Sequence, residues 1–197
     1  MASKSTTLLA GIASQNATLY HRVRFLVPDS SVIIDFAGGN SVFLVRDIEM
    51  DRARKEAPAD LVSCAAAFTP EGGLSGDRDT ALAQAAAECV RQAGETEVMV
   101  DRSLPYLYAH HLLEAGIGVT YSEDFGVTER RSKTPEEIEH LRHVQKITGE
   151  AMTYACRTIA KAKPAAEGIL QYEGEVLTSE RIRAMITAFL IERNFSN

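Results

Sequence analysis

The sequence predicts an α/β fold: a layered N-terminal domain with a mixed sheet, followed by two long helices. Three observations carry this reading. Up to Phe125, short β-branched runs alternate with helical segments of about 10–15 residues, the pattern of a partly parallel sheet covered by helices. A glycine-centred hairpin opens that alternation. From Thr134 onward the apolar period becomes that of a helix and remains so over most of the rest of the chain.

The hairpin is SVIIDFAGGNSVFLVR, Ser31 to Arg46. Its two runs, Val32 to Phe36 and Ser41 to Val45, flank Gly38-Gly39-Asn40, which tolerates the positive φ of tight turns. HRVRFLV before it, His21 to Val27, alternates polar and apolar residues and reads as a further strand. Asp47 to Ala57 is a charged surface helix with Asp47 as expected N-cap. LVSCAA returns to strand character, and the Ala-rich stretch Ala81 to Ala93 is helical, with Gly94 placed to end it. EVMVD, Glu97 to Asp101, is a strand. Leu104 to Gly116 is a helix with Pro105 in its first turn, and IGVTYSED supplies the last strand. No internal repeat or low-complexity segment appears.

Composition narrows the function classes. The chain has 197 residues, 45% apolar and 24% charged, values of a globular protein with enough apolar material for a core. Its net charge of −6 and the lack of a basic stripe argue against a nucleic-acid or anionic-membrane surface. The longest apolar runs fall far short of the roughly 20 residues that span a bilayer. The opening MASKSTTLLAGIASQNATLY has neither the positive n-region nor the continuous apolar core of a signal peptide and reads as a small capping segment. Cys64, Cys89 and Cys156 are odd in number and widely spaced, the usage of reduced thiols in a cytoplasmic protein.

Thr134-Pro135-Glu136-Glu137 is a strong helix start. Thr134 can accept from the amide three residues on, Glu137 can reach back, and Pro135 occupies a position where a missing N–H costs least. Ile138, Leu141, Val144, Ile147, Ala151, Met152, Ala155, Ile159 and Ala162 then form one apolar stripe on a helix about 40 Å long. Pro164 and Gly168 break the pattern. A second amphipathic helix, capped at Thr178 or Ser179, carries Ile182, Met185, Ile186, Phe189 and Leu190 on one face. With no sheet expected after them, the N-terminal domain can bury one stripe but hardly both, which predicts that the chain expressed alone self-associates through Ile138 to Ile159 and Ile182 to Leu190.

The run R-x-x-K-[ST]-P-E-E-I, Arg130 to Ile138, continued by LRHVQKITGEAM, resembles the domain junction of creatinase-like "pita-bread" metallopeptidases, a family of aminopeptidase P, prolidase and creatinase. GEVLTSERIRAMITAFLIERNF resembles the family's second catalytic-domain helix. The resemblance implies a creatinase-type N-terminal domain at 1–129, and at 130–197 a junction with the first two helices of an incomplete catalytic domain. For the complete protein it implies a cytoplasmic homo-oligomer that removes a residue preceding proline or cleaves an Xaa-Pro dipeptide. It also implies two divalent metals, Mn- or Co-like, held by two Asp, one His and two Glu. The last Asp of this chain is Asp124 and the last His is His143. The resemblance therefore assigns no catalytic, cofactor-binding or metal-ligating residue here, and the chain alone is expected to be inactive. Its expected partner is the remainder of its catalytic domain, with neither nucleic acid nor membrane. Two other readings share the architecture: a metal-free relative acting through protein contacts, and a creatinase-type hydrolase of a small amidino compound.

The remaining candidates each have a plain structural reading. His110 and His111 are neighbours on a helix, about 100° apart in azimuth, and are expected to diverge, one packed and one solvated. His140 and His143, at i and i+3, can share a metal but have no nearby third ligand. FTPEGGLSGDRD, Phe68 to Asp79, lacks the P-loop ending and carries Asp77 and Asp79 where a phosphate would sit, so it reads as a surface loop or a subunit contact. Glu129, Arg130, Arg131 and Lys133 read as a solvated connector, in which Arg130 or Lys133 can set an interdomain angle through ion pairs.

Overall fold

The computed structural model describes residues 5–195. It divides into two compact units, Met1–Ser132 and Lys133–Asn197.

The first unit is built on a six-stranded sheet. In chain order its elements are β1 (Thr7–Gly11), α1 (Ala17–Val23), β2 (Ser31–Asp35), β3 (Ser41–Leu44), α2 (Met50–Glu56), β4 (Leu61–Ser63), α3 (Arg78–Gln92), β5 (Glu97–Val100), α4 (Tyr106–Glu114), β6 (Gly118–Tyr121) and the short α5 (Thr128–Arg131). The strand order is β4-β3-β2-β1-β5-β6. β1–β2 and β2–β3 pair antiparallel, whereas β3–β4, β1–β5 and β5–β6 pair parallel. The sheet is mixed, as the alternation of strand and helix predicts.

Strand periodicity sorts the core into two layers. Leu8, Ala10, Val32, Ile34, Val42 and Leu44 face one cluster with Leu82, Ala86 and Val90 of α3 and Leu112 of α4. Their neighbours Leu9, Ile33 and Phe43 face the other, with Leu19 and Val23 of α1 and Ala53 of α2. Side chains on a strand alternate faces, so a strand covered on both sides is apolar without interruption.

That rule explains the first departure from the sequence reading. TLLAG, read as part of a capping segment, is β1, an interior strand buried over Leu8 to Gly11. Residues 1–4 of that segment lie outside the described residues. The second departure is HRVRFLV. His21 to Val23 form the last turn of α1, whose N-cap Asn16 accepts from the Thr18 and Leu19 amides. Arg24 ends the helix in the left-handed region at φ 49. Phe25 and Val27 do alternate into the core, but on an extended segment outside the ladder. Asp47 opens a 3-10 turn, Asp47–Glu49, instead of capping an α-helix, and Pro105 stands at the N-cap of α4 instead of within its first turn.

The second unit contains α6 (Pro135–Lys161), β7 (Lys163–Pro164), β8 (Leu170–Tyr172), β9 (Glu175–Val176) and α7 (Ser179–Ile191). The α6 capping box is present. Thr134 Oγ1 accepts from the Glu137 amide at 3.2 Å, and Glu137 Oε2 accepts from the Thr134 amide at 2.9 Å. β7, β8 and β9 form a small antiparallel sheet that the sequence reading did not anticipate. β7 ends at Pro164, β8 follows Gly168, and Thr178 then caps α7. α7 packs on α6, with Tyr154 and Phe189 stacked at 5.3 Å. The two stripes thus partly cover each other. Leu141, Val144, Met152 and Ile159 remain exposed, and a groove of ≈ 320 Å³ runs between Ala151, Met152, Ala155, Cys156, Ile186 and Leu190. No helix among the described residues is long and apolar enough to cross a membrane.

Candidate functional site

Among the described residues, one group of His, Cys, Asp and Glu side chains converges as metal ligands do: His110, His111 and Glu114 of α4. The helix is fixed to the sheet by Tyr108 and Leu112, both buried, so the next residues along project from a rigid element. Glu114 Oε2 lies 3.4 Å from His110 Nε2 and 3.1 Å from His111 Nδ1. The imidazole centroids are 5.0 Å apart, and the Tyr106 ring stacks on His110 at 6.3 Å and 26°.

One imidazole is packed and the other solvated, as expected, with side chains 14% exposed for His111 and 47% for His110, yet both reach the same carboxylate. On a helix Glu114 falls about 40° from His110 and about 60° from His111 in azimuth, between the two. His110 reaches toward it with its far nitrogen and His111 with its near one. The third member of the spacing H-H-x-x-E was the signal to read, and attention to the His pair alone missed it.

The other candidates stay apart. His140 is exposed, and the His143 ring packs 5.5 Å from Phe195. The glycine-rich loop is an acidic cap, not a cradle for anions. Asp77 Oδ1 accepts from the Thr80 amide at 2.9 Å and from the Thr80 hydroxyl at 2.7 Å, and these bonds hold its carboxyl below the usual range. Arg130 Nε donates to the Gly126 carbonyl at 2.7 Å. Of the thiols, burial pushes Cys89 up to about 12, which makes it inert, while Cys156 is exposed.

A cleft of ≈ 870 Å³ is lined by Arg22, Asp35, Ser41, Asp60 and Phe125 among others. Its charges are already engaged. Arg22 grips Asp35 through Nε at 2.8 Å and Nη2 at 2.5 Å, and donates from Nη1 to the Pro58 carbonyl at 2.7 Å. Asp60 accepts from the Ser41 hydroxyl and amide, which lowers its carboxyl. These pairs tie the β2–β3 hairpin to α1 and to the approach to β4. A smaller cleft of ≈ 340 Å³ holds Arg46, Cys64, Arg78 and Asp79, with Arg46 paired to Asp29 at 2.8 Å.

Neither a family model nor a curated protein matches the sequence. Solved structures do. An Xaa-Pro dipeptidase from Bacillus anthracis superposes with a TM-score of 0.71 at 15% identity, over 96% of this chain and 44% of its own. An X-Pro aminopeptidase from Thermotoga maritima MSB8 gives 0.67 at 13%, over 95% and 46%. A prolidase from Pyrococcus furiosus gives 0.64 at 16%, over 98% and 46%. The chain has their fold. It spans less than half the length of each of these proteins.

Two Asp, one His and two Glu of a dinuclear centre do not fit the residues present. No Asp follows Asp124, and the converging set on α4 contains one carboxylate and two imidazoles.

Proposed function

We propose that this chain is the N-terminal, non-catalytic part of a metal-dependent Xaa-Pro aminopeptidase- or dipeptidase-like protein. The observation that supports this most is the superposition of 96% of the chain on 44% of an Xaa-Pro dipeptidase at a TM-score of 0.71. The residues agree with it. The clefts of the first unit carry ion pairs already engaged with one another and with backbone carbonyls, the chemistry of a scaffold. The apolar groove and stripe on α6 and α7 are those of helices that pack against further structure. In this reading the partner of that face is the remainder of a catalytic domain holding two Mn- or Co-like ions, which would activate water for attack on the amide bond. The first unit serves homodimer contacts in the cytoplasm and limits access to the active site.

The test is hydrolysis of an Xaa-Pro dipeptide and an Xaa-Pro-Xaa tripeptide, with Mn or Co added, by this chain and by the longest product of its gene. Activity confined to a longer product is expected. Turnover by this chain alone would overturn the assignment of the chemistry elsewhere. Inactivity of both would favour the protein-interaction or amidinohydrolase readings.

A further inference from the structure

We propose that His110, His111 and Glu114 form a binding site for one first-row divalent transition-metal ion of the zinc class. The ligand set is two borderline imidazole nitrogens and one carboxylate oxygen, which suits Zn, Co, Ni or Cu and disfavours the oxygen-seeking Mg and Ca. With metal–ligand bonds of about 2.0–2.2 Å, two donors at a near-tetrahedral angle lie about 3.2–3.5 Å apart. The two measured edges, 3.1 Å from His111 Nδ1 and 3.4 Å from His110 Nε2 to the same Glu114 oxygen, sit at or beside that range. The third edge lies within 4.8 Å and closes by rotation of the His110 ring, whose side chain is 47% exposed.

Two features hold the site ready. All three ligands project from one nine-residue helix anchored by the buried Tyr108 and Leu112, so little order must be gained on binding. The Glu114 carboxylate already lies between the two imidazoles, within 3.4 Å of a nitrogen of each. Three ligands leave a fourth position open to water, and the exposure of His110 and Glu114 gives the ion a direct path in. The site stands independently of the peptidase reading.

Equilibrium dialysis of the full chain against zinc measures stoichiometry directly, and cobalt substitution reports tetrahedral coordination through its visible absorption. One equivalent of zinc is expected, with magnesium failing to compete. Even residues that only orient metal ligands are worth about 10–100-fold in affinity, so loss of a ligand is expected to weaken zinc binding at least about tenfold. That loss is expected in His110→Ala, His111→Ala and Glu114→Gln, and not in a His140→Ala/His143→Ala control. His110 and Glu114 are exposed, so their variants keep the fold, and a circular dichroism spectrum identical to that of the parent verifies this. Wild-type zinc affinity in either of those two variants, or absence of a one-equivalent site in the parent, would overturn the proposal.

Discussion

At the scale of single residues, Glu88 shows how a side chain read only as part of an Ala-rich helix carries a measurable effect. It lies on α3, buried with its side chain 8% exposed, and receives Arg91 at 2.8 and 2.7 Å and the Gln92 amide at 2.8 Å. Arg91 first, then Gln92, pulls its carboxyl from 4.5 down to about 2. A carboxylate depressed in the folded state stabilises it above the unfolded pKa and loses that contribution as pH falls through the folded one. The window is therefore from about 4.5 down to about 2. Arg91 is 58% exposed, so solvent screening holds the contribution to about 1 kcal/mol. The unfolding free energy of Glu88→Gln from urea titrations is expected to fall by that amount near neutral pH and to converge on that of the parent near pH 2. A parallel offset across the whole range would exclude the ionic origin. The i, i+3 and i, i+4 spacing of this trio is legible in AECVRQ, but its burial is not, because that depends on which helix face meets the sheet.

At the scale of elements, legibility follows the number of covered faces. α6 and α7 were readable to within a residue or two because N-cap side chains, completed to a capping box in α6, and one-sided stripes are local signals. β1 was not, since a strand covered on both faces shows no alternation, and α1 was obscured because its polar and apolar residues also fit a period of two. The cluster of His110, His111 and Glu114 was half legible: the His pair is adjacent in sequence, whereas the carboxylate that joins it lies a helical turn on. Gly126 marks a further element that no pattern reveals, the turn between β6 and α5. It adopts φ +71, and a Cβ there would lie 1.9 Å from Thr18 Cγ2 on α1. Gly126→Ala therefore combines a left-handed conformation costing about 1–2 kcal/mol with overpacking of about 1–3 kcal/mol. A loss of about 2–5 kcal/mol is expected in chemical denaturation. Adding Thr18→Ala removes the methyl group in the way and should restore the steric part only. Failure of the double variant to gain anything would assign the whole cost to the backbone.

At the scale of the whole molecule, the two units differ in what they bury. Both apolar clusters of the first unit draw only on residues from Leu8 to Phe125, and both are closed by its own helices. Among the described residues of the second unit only Ile147, Ala151 and Thr158 of α6 are buried, and α7 has no buried residue. A chain orders itself only when burial offsets the conformational entropy of about 1–2 kcal/mol per residue. We therefore expect a fragment of residues 1–132 to fold alone with a single cooperative thermal transition, which calorimetry with matched calorimetric and van't Hoff enthalpies would establish. A fragment of residues 133–197 is expected to show helical circular dichroism at low temperature with a broad, non-cooperative melt, since capping and propensity alone leave helices marginal. Its exposed stripe, Leu141, Val144, Met152 and Ile159, should make that helicity rise with concentration. Sedimentation of the same samples separates the outcomes. A monomeric, cooperatively melting 133–197 fragment would mean that α6, α7 and the small sheet between them suffice as a core, and the expectation that their apolar face belongs against further structure would then be lost.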